Sequence, residues 1–228
     1  RDVRGSAEID RILAKNRQEF ERLEGNASSY FDKETLTNPF SDTRILHGTG
    51  EEEINTIFCG VDMEVAEIIL ADRLREKGQS IDLVMAHHPE GSALAALYGV
   101  MDLQADLLHR AGIPINVAEG ILGPRISEVK RNLMSHNHQR AVDAARLLEI
   151  PFMCVHTPAD NQVNDFVQRY IDDRNPQYLE ELLEILLEIP EYHQAKVNKA
   201  GPVLVVGDKK KRVGRVLVDM TGGTSGSA

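Results

Sequence analysis

Cysteine is scarce in this chain, which has only Cys59 and Cys154. Neither belongs to a Cys-x-x-Cys pair or to a Cys/His pair with zinc-finger spacing, so a zinc finger is excluded. Each cysteine lies within an apolar, strand-like run. This placement predicts two buried, reduced thiols in an intracellular protein.

Positively charged residues are also few: the chain has 26 Lys and Arg residues against 36 Asp and Glu residues, and its net charge is −10. Proteins that bind nucleic acids usually carry a basic stripe, so this balance argues against that class. The one basic run, residues 209–212, lies between two predicted paired strands, residues 202–206 and 215–218. The pattern is typical of a charged hairpin turn, with a phosphate-binding patch as the alternative.

Long apolar runs are missing as well. No stretch is long enough to span a bilayer and no secretory signal is recognisable, which predicts a cytoplasmic protein without a membrane partner. A nucleophile elbow, a Walker loop and a dinucleotide fingerprint are all missing from their proper contexts. The sequence therefore argues against a serine hydrolase with a nucleophile elbow, a P-loop nucleotidase and a dinucleotide-binding enzyme.

Short apolar runs alternate with helical patterns along most of the chain. Four predicted strands cover residues 56–61, 81–86, 113–117 and 152–155, with amphipathic helices between them. This alternation predicts an α/β fold with a mostly parallel sheet and helices on both faces. We expect two parts, an N-terminal helix with a polar arm over residues 1–53 and an α/β metal-site domain over residues 54–228.

Polar side chains follow each predicted strand at the point where it ends: Asp62, His87 with His88, Glu119, and His156. Since parallel strands share a direction, their carboxyl ends gather at one edge of the sheet, where α/β proteins bind ligands. Imidazole is a ligand for zinc, iron, copper and nickel. The alternative for the His-His pair is one capping histidine and one surface histidine.

Asp160 follows His156 in a second motif, His-Thr-Pro-Ala-Asp-Asn. It is well placed as the N-cap of the next helix, because Asp is among the favoured capping residues. The alternative is that His156 or Asp160 joins His87 and His88 around a metal, since carboxylate and imidazole form common mixed ligand sets.

These two motifs, together with Asp-Met-Thr-Gly-Gly-Thr at residues 219–224, resemble the Nif-three-like dinuclear metal-binding proteins, which are often labelled type-two GTP cyclohydrolase I. The resemblance covers most of the chain from about residue 56. It implies that His87, His88 and Asp160 ligate a pair of divalent metal ions and that His156 lines the same pocket. It also implies a ring-like homohexamer.

The chain departs from the family pattern in three ways. Pro-Glu-Gly follows the first histidine pair where many relatives have apolar residues, and Pro158 and Ala159 stand where others often have Asn-Leu. The family's later histidine and glutamate ligands are not found among the 228 residues. Residues 215–220 also read as a strand with no following element to cover it. We therefore expect that the chain ends inside the family domain and supplies part of the metal shell.

The resulting hypothesis is a hydrolase-like protein with two divalent ions, zinc, iron or manganese. His156 or Glu119 would orient a metal-activated water or move its proton. The substrate class would be a phosphate ester, a nucleotide or a purine-type ring. The alternative is a metal-binding or protein-interaction scaffold without turnover.

Overall fold

The computed structural model describes residues 4–219, which form two compact units, residues 4–161 and residues 162–219. Four strands lie in the first unit: β1 (Arg44–His47), β2 (Ile57–Gly60), β3 (Leu83–Ala86) and β4 (Phe152–Cys154). The helices in the described residues are α1 (Ser6–Glu21), α2 (Val65–Glu76), α3 (Gly91–Ala95), α4 (Asp102–Arg110), α5 (Ile115–Leu133), α6 (Arg140–Leu147), α7 (Thr157–Arg174), α8 (Leu179–Leu187) and α9 (Pro190–Val197). Short 3-10 turns occupy Gly25–Ser29, Lys33–Leu36 and Leu97–Val100.

The four strands form one sheet in the order β1-β4-β3-β2. β2 pairs with β3 and β3 pairs with β4 in parallel, whereas β1 runs antiparallel to β4. The sheet is therefore mixed, and the expectation of a mostly parallel sheet is corrected. The difference arises from β1, a four-residue edge strand inside the predicted polar arm. Coverage of both faces by helices stays a prediction.

The predicted third strand, residues 113–117, is not a strand. Pro114 lies at the N-cap of α5, and the apolar residues after it form the first turn of that helix. A short apolar run fits a strand and a helix equally well, and here the longer helical pattern that follows decides the outcome. Glu119 consequently lies on α5 and not at the end of a strand.

The predicted strands at residues 202–206 and 215–218 are also absent from the described residues. One isolated bridge joins Tyr178 to Arg212 there. The basic run does lie in a turn, where the N–H of Lys211 donates to the carbonyl of Asp208 at 2.9 Å. A turn is thus present without the hairpin that was expected around it.

The core of the first unit is built around the two central strands. Val84 of β3 and Phe152 of β4 are completely buried and are paired in register. Ile68 of α2 and Ala145 of α6 belong to the same cluster, and these two helices pack on each other. Along β3 and β4, fully buried residues alternate with partly buried ones, and none is exposed, which agrees with their continuous apolar sequences.

The two cysteines have different environments. Cys154 of β4 is buried as expected, and burial raises the pKa of its thiol to about 11. Cys59 is exposed, so the expectation of two buried thiols is wrong for this residue. It belongs to β2, an edge strand whose residues alternate between exposed and partly buried.

The second unit has its own small core of Val167, Ile171 and Ile189. The predicted boundary between residues 53 and 54 stays a prediction. The glycine-rich segment, residues 220–228, lies outside the described residues. Within residues 4–219, no helix combines the length and apolarity that crossing a bilayer requires. Cytoplasmic location stays a prediction.

Candidate metal centre

Neighbouring strand ends place three histidines together. Backbone hydrogen bonds to the β2 side continue past the end of β3. The N–H of His87 donates to the carbonyl of Gly60, and the N–H of His88 donates to the carbonyl of Val61, both at 2.9 Å. Beyond β4, the N–H of Val155 donates to Ala86 at 2.9 Å, and His156 follows. The ladder thus extends past each strand end, which holds the histidine backbones against their neighbours.

The three imidazole rings form one cluster. Their centroids are 4.8 Å apart for His87 and His156, 5.2 Å for His87 and His88, and 5.8 Å for His88 and His156. One ring nitrogen from each lies within 4.8 Å of the other two, which is close enough for all three to reach one ion. Among the described residues, this is the one group of three or more His, Cys, Asp or Glu side chains with that geometry.

Asp160 lies beside this cluster. Its Oδ1 is 3.3 Å from Nε2 of His87, and its Oδ2 is 3.7 Å from Nε2 of His156. α7 begins at Thr157, so Asp160 lies inside the first turn, and the alternative that it is the N-cap is wrong. One helical turn separates it from His156, and this spacing places both side chains on the same face.

Each ring has an oxygen partner at its other nitrogen. Nδ1 of His87 lies 3.1 Å from the carbonyl of Val155, that of His88 lies 2.6 Å from Asp62, and that of His156 lies 2.9 Å from Asp42. A carbonyl or a carboxylate oxygen only accepts, so hydrogen bonding assigns the proton of each neutral ring to Nδ1. The Nε2 lone pairs are then left for a ligand.

With the protons on Nδ1, the carboxylate oxygens of Asp160 and the Nε2 atoms near them are all hydrogen-bond acceptors. Both oxygens of its carboxylate face an Nε2 lone pair, from His87 and from His156. Such an arrangement is favourable only with a cation between the partners, either a proton or a metal ion. The hydrogen bond with Asp160 is the leading cause of the raised pKa of His87, which burial opposes. Three imidazoles and a carboxylate are a donor set that fits zinc or iron.

Asp42 is the residue that the sequence did not reveal. It is completely buried, and its Oδ2 accepts hydrogen bonds from Thr157 Oγ1 at 2.6 Å and from the Thr157 N–H at 3.3 Å. It lies two residues before β1, in the predicted polar arm, where no motif of the sequence marks it as functional. Asp62, in contrast, was expected at a strand end and does contact His88.

Glu119 is not brought to the cluster by a strand. It is exposed on α5, so the argument that placed it near the histidines no longer holds. Its role as a general base stays a prediction without that support.

A cleft of about 310 Å³ lies in the first unit, and its walls include Glu64, Glu90, His136 and Arg140. Burial is the leading cause of a raised pKa of about 7 for Glu90, and the negative charge of Glu64 adds to it. Glu90 follows His88 by two residues, so the cleft and the histidine cluster share one segment of chain.

The fold and the cluster define an α/β protein with a candidate histidine-rich metal centre. No family model and no curated protein matches the chain. One solved structure, that of a NIF3 superfamily protein from Sphaerobacter thermophilus, aligns with 92% of this chain and 68% of that chain, with a TM-score of 0.68. The identity is 22%, so the likeness is one of fold. The chain has a NIF3-like fold, as its histidine motifs implied.

Proposed function

We propose that this chain is a dinuclear, metal-dependent hydrolase-like protein in which His87, His88 and Asp160 hold divalent ions. The observation that carries the proposal is the position of the Asp160 carboxylate, which faces the Nε2 atoms of two histidines. Since neither ring nitrogen has a proton to donate in the neutral tautomer assigned above, a cation is needed there.

His156 enters the proposal as a further ligand. The sequence left two roles open for it, metal ligand and proton transfer, and its ring belongs to the same group as His87 and His88 and is largely buried. Its Nδ1 is engaged by Asp42, and its Nε2 faces Asp160. A ring held at both nitrogens in this way is better suited to holding an ion than to moving a proton.

Two ions are proposed because Asp160 presents its two oxygens to different histidines. A carboxylate with both oxygens available can bridge ions about 3.5–4 Å apart. Divalent ions supply Lewis acidity and a water that ionises near neutral pH. The chain's own part is to fix the ligand rings through Val155, Asp62 and Asp42. A phosphate ester, a nucleotide or a purine-type ring remains the proposed substrate class.

Metal binding is tested on the purified chain by elemental analysis and by titration with zinc, manganese and iron(II). We expect about two ions per chain, and at least tenfold weaker binding in His88→Ala and Asp160→Asn. His193→Ala, which removes an exposed histidine of α9, is the matched control and should bind as the wild type does. Unchanged binding in both site variants would remove these residues from the centre.

Turnover is tested separately with generic phosphoesters and added manganese, zinc or iron. A hydrolase should release phosphate and lose this activity in Asp160→Asn. Metal binding without turnover on any ester or nucleotide tried would favour the scaffold alternative. The hexamer and any protein partner stay predictions that light scattering and co-purification can test.

A further inference from the structure

Asp42 is completely buried, and it is not one of the three residues whose ligand atoms could meet at one ion. A buried carboxylate is costly unless hydrogen bonds compensate for its lost hydration. Three donors meet its Oδ2 here: Nδ1 of His156 at 2.9 Å, Oγ1 of Thr157 at 2.6 Å and the Thr157 N–H at 3.3 Å. Thr43 Oγ1 adds a contact of 3.3 Å with Oδ1. Through these hydrogen bonds, Asp42 holds the ring of His156 and the first residue of α7, Thr157.

We propose that Asp42 is the positioning residue of the metal centre, an inference that rests on the proposed function. It keeps the proton of His156 on Nδ1, so that the Nε2 lone pair is directed toward Asp160 and the ion. A neutral imidazole has two tautomers, and the one protonated at Nε2 cannot bind an ion through that atom. Carboxylate partners of this kind fix ring orientation and raise the basicity of ligating histidines.

The same carboxylate also fixes the helix that carries Asp160. Thr157 is the first residue of α7, and its N–H is one of the free donors at the helix start, which Asp42 satisfies. A negative group at this end is further favoured by the helix dipole. Asp42 therefore places His156 and the first turn of α7 relative to one another, which sets the distance between the His156 ring and Asp160.

The other two histidines are held differently. His87 relies on the backbone carbonyl of Val155, which no side-chain substitution removes. Asp62, the partner of His88, is 69% exposed, so water can replace it. Asp42 has no exposed surface, so water cannot readily take over its role. Substitution of Asp42 by Ala should consequently weaken metal binding more than substitution of Asp62 by Ala.

The tautomer is measured first on the metal-free wild type by nitrogen-15 NMR of the histidine rings, at about pH 8 where most imidazoles are neutral. We expect a proton on Nδ1 of His156. A proton on Nε2 in the wild type would overturn the proposal, whether or not any variant folds. In Asp42→Ala we expect the Nε2-protonated form to appear. An unchanged tautomer in folded Asp42→Ala would also overturn it.

Zinc affinity provides the second measurement. Asp42→Ala should bind 10–100-fold more weakly than the wild type. Asp42→Asn keeps the shape, and its carbonyl oxygen can accept the same three hydrogen bonds, so it should keep the tautomer and lose less than tenfold. Asp143→Asn, an exposed acid paired with Arg146, is the control. Wild-type affinity in Asp42→Ala would overturn the metal role. A wild type that binds no zinc would instead refute the proposed function, while the metal-free NMR result still decides the tautomer.

Discussion

Asp160 lies with Oδ1 3.3 Å from Nε2 of His87, and the pKa of this histidine is raised chiefly by that contact. A proton therefore stabilises the pair when no metal is bound. An ion that enters between them has to displace this proton, because one lone pair cannot hold both. Metal binding and protonation thus compete at the same nitrogen.

Zinc binding should release protons and weaken as the pH falls. The raised pKa of His87 means that its protonated form persists to higher pH than for an ordinary histidine, so the competition extends toward neutral pH. Affinity should change by about tenfold per pH unit for each proton displaced. Calorimetric titrations in two buffers with different ionisation enthalpies measure the proton count. Identical heats in both buffers, with a flat pH profile, would contradict this expectation.

The convergence of His87, His88 and His156 could be predicted from the sequence. Residues 81–86 and 152–155 are continuous apolar runs, as strands buried on both faces usually are, and each run ends before a proline-containing motif. β3 and β4 do lie within these runs and pair in parallel. Their carboxyl ends meet because parallel strands share a direction, and no contact information is needed for that step.

β1 and Asp42 could not be predicted in the same way. An edge strand of four residues gives little periodicity, and Arg44–His47 has an arginine and a histidine at its ends. Its place in the sheet depends on pairing with β4, more than one hundred residues away in the chain. The placement of Glu119 at a strand end was wrong for a different reason, because the short apolar run before it was compatible with both a strand and a helix.

Arg44 is predicted to stabilise the attachment of β1 to the segment before it, which carries Asp32 and Glu34. Its side chain is 6% exposed, and its guanidinium binds Asp32, Glu34 at 3.2 Å and the carbonyl of Ser41 at 2.8 Å. Arg44→Met should lower the free energy of unfolding by about 1–3 kcal/mol at neutral pH, as measured by urea denaturation. Arg73→Met, which breaks an exposed pair with Glu76, is the control and should change it by about 0.5 kcal/mol or less.

Acid should reduce the effect of Arg44→Met. The hydrogen bond from Arg44 is the leading cause of the lowered pKa of Asp32. A lowered folded-state pKa contributes stability above the unfolded value of about 3.9, and this contribution is lost as the pH falls through the folded value. The wild type and the variant should therefore become more alike in urea melts below about pH 4. A constant difference from neutral to acid pH would show that Asp32 is not the relevant partner.

Phe152 is predicted to be the most costly aromatic side chain to truncate in the first unit. It is completely buried in β4, the strand that leads to His156, and it pairs in register with Val84. Phe152→Ala should cost about 3–5 kcal/mol because it removes apolar contacts and leaves a cavity. Phe166→Ala, at a residue that is 48% exposed, should cost about 1 kcal/mol or less. Equal losses in urea melts would place Phe152 outside the core.

Two Gly→Ala substitutions should have opposite effects on stability. Gly91 has φ +58°, and a Cβ there would lie 2.7 Å from Cγ2 of Val142, so Gly91→Ala should destabilise the chain by about 1–3 kcal/mol. Gly120 lies inside α5 with nothing within 4 Å of a Cβ, so Gly120→Ala should stabilise it by about 0.5–1 kcal/mol. Thermal and urea unfolding of the two variants measure whether each substitution lowers or raises the free energy of unfolding. A stabilising Gly91→Ala would mean that the start of α3, three residues after His88, can relax away from Val142.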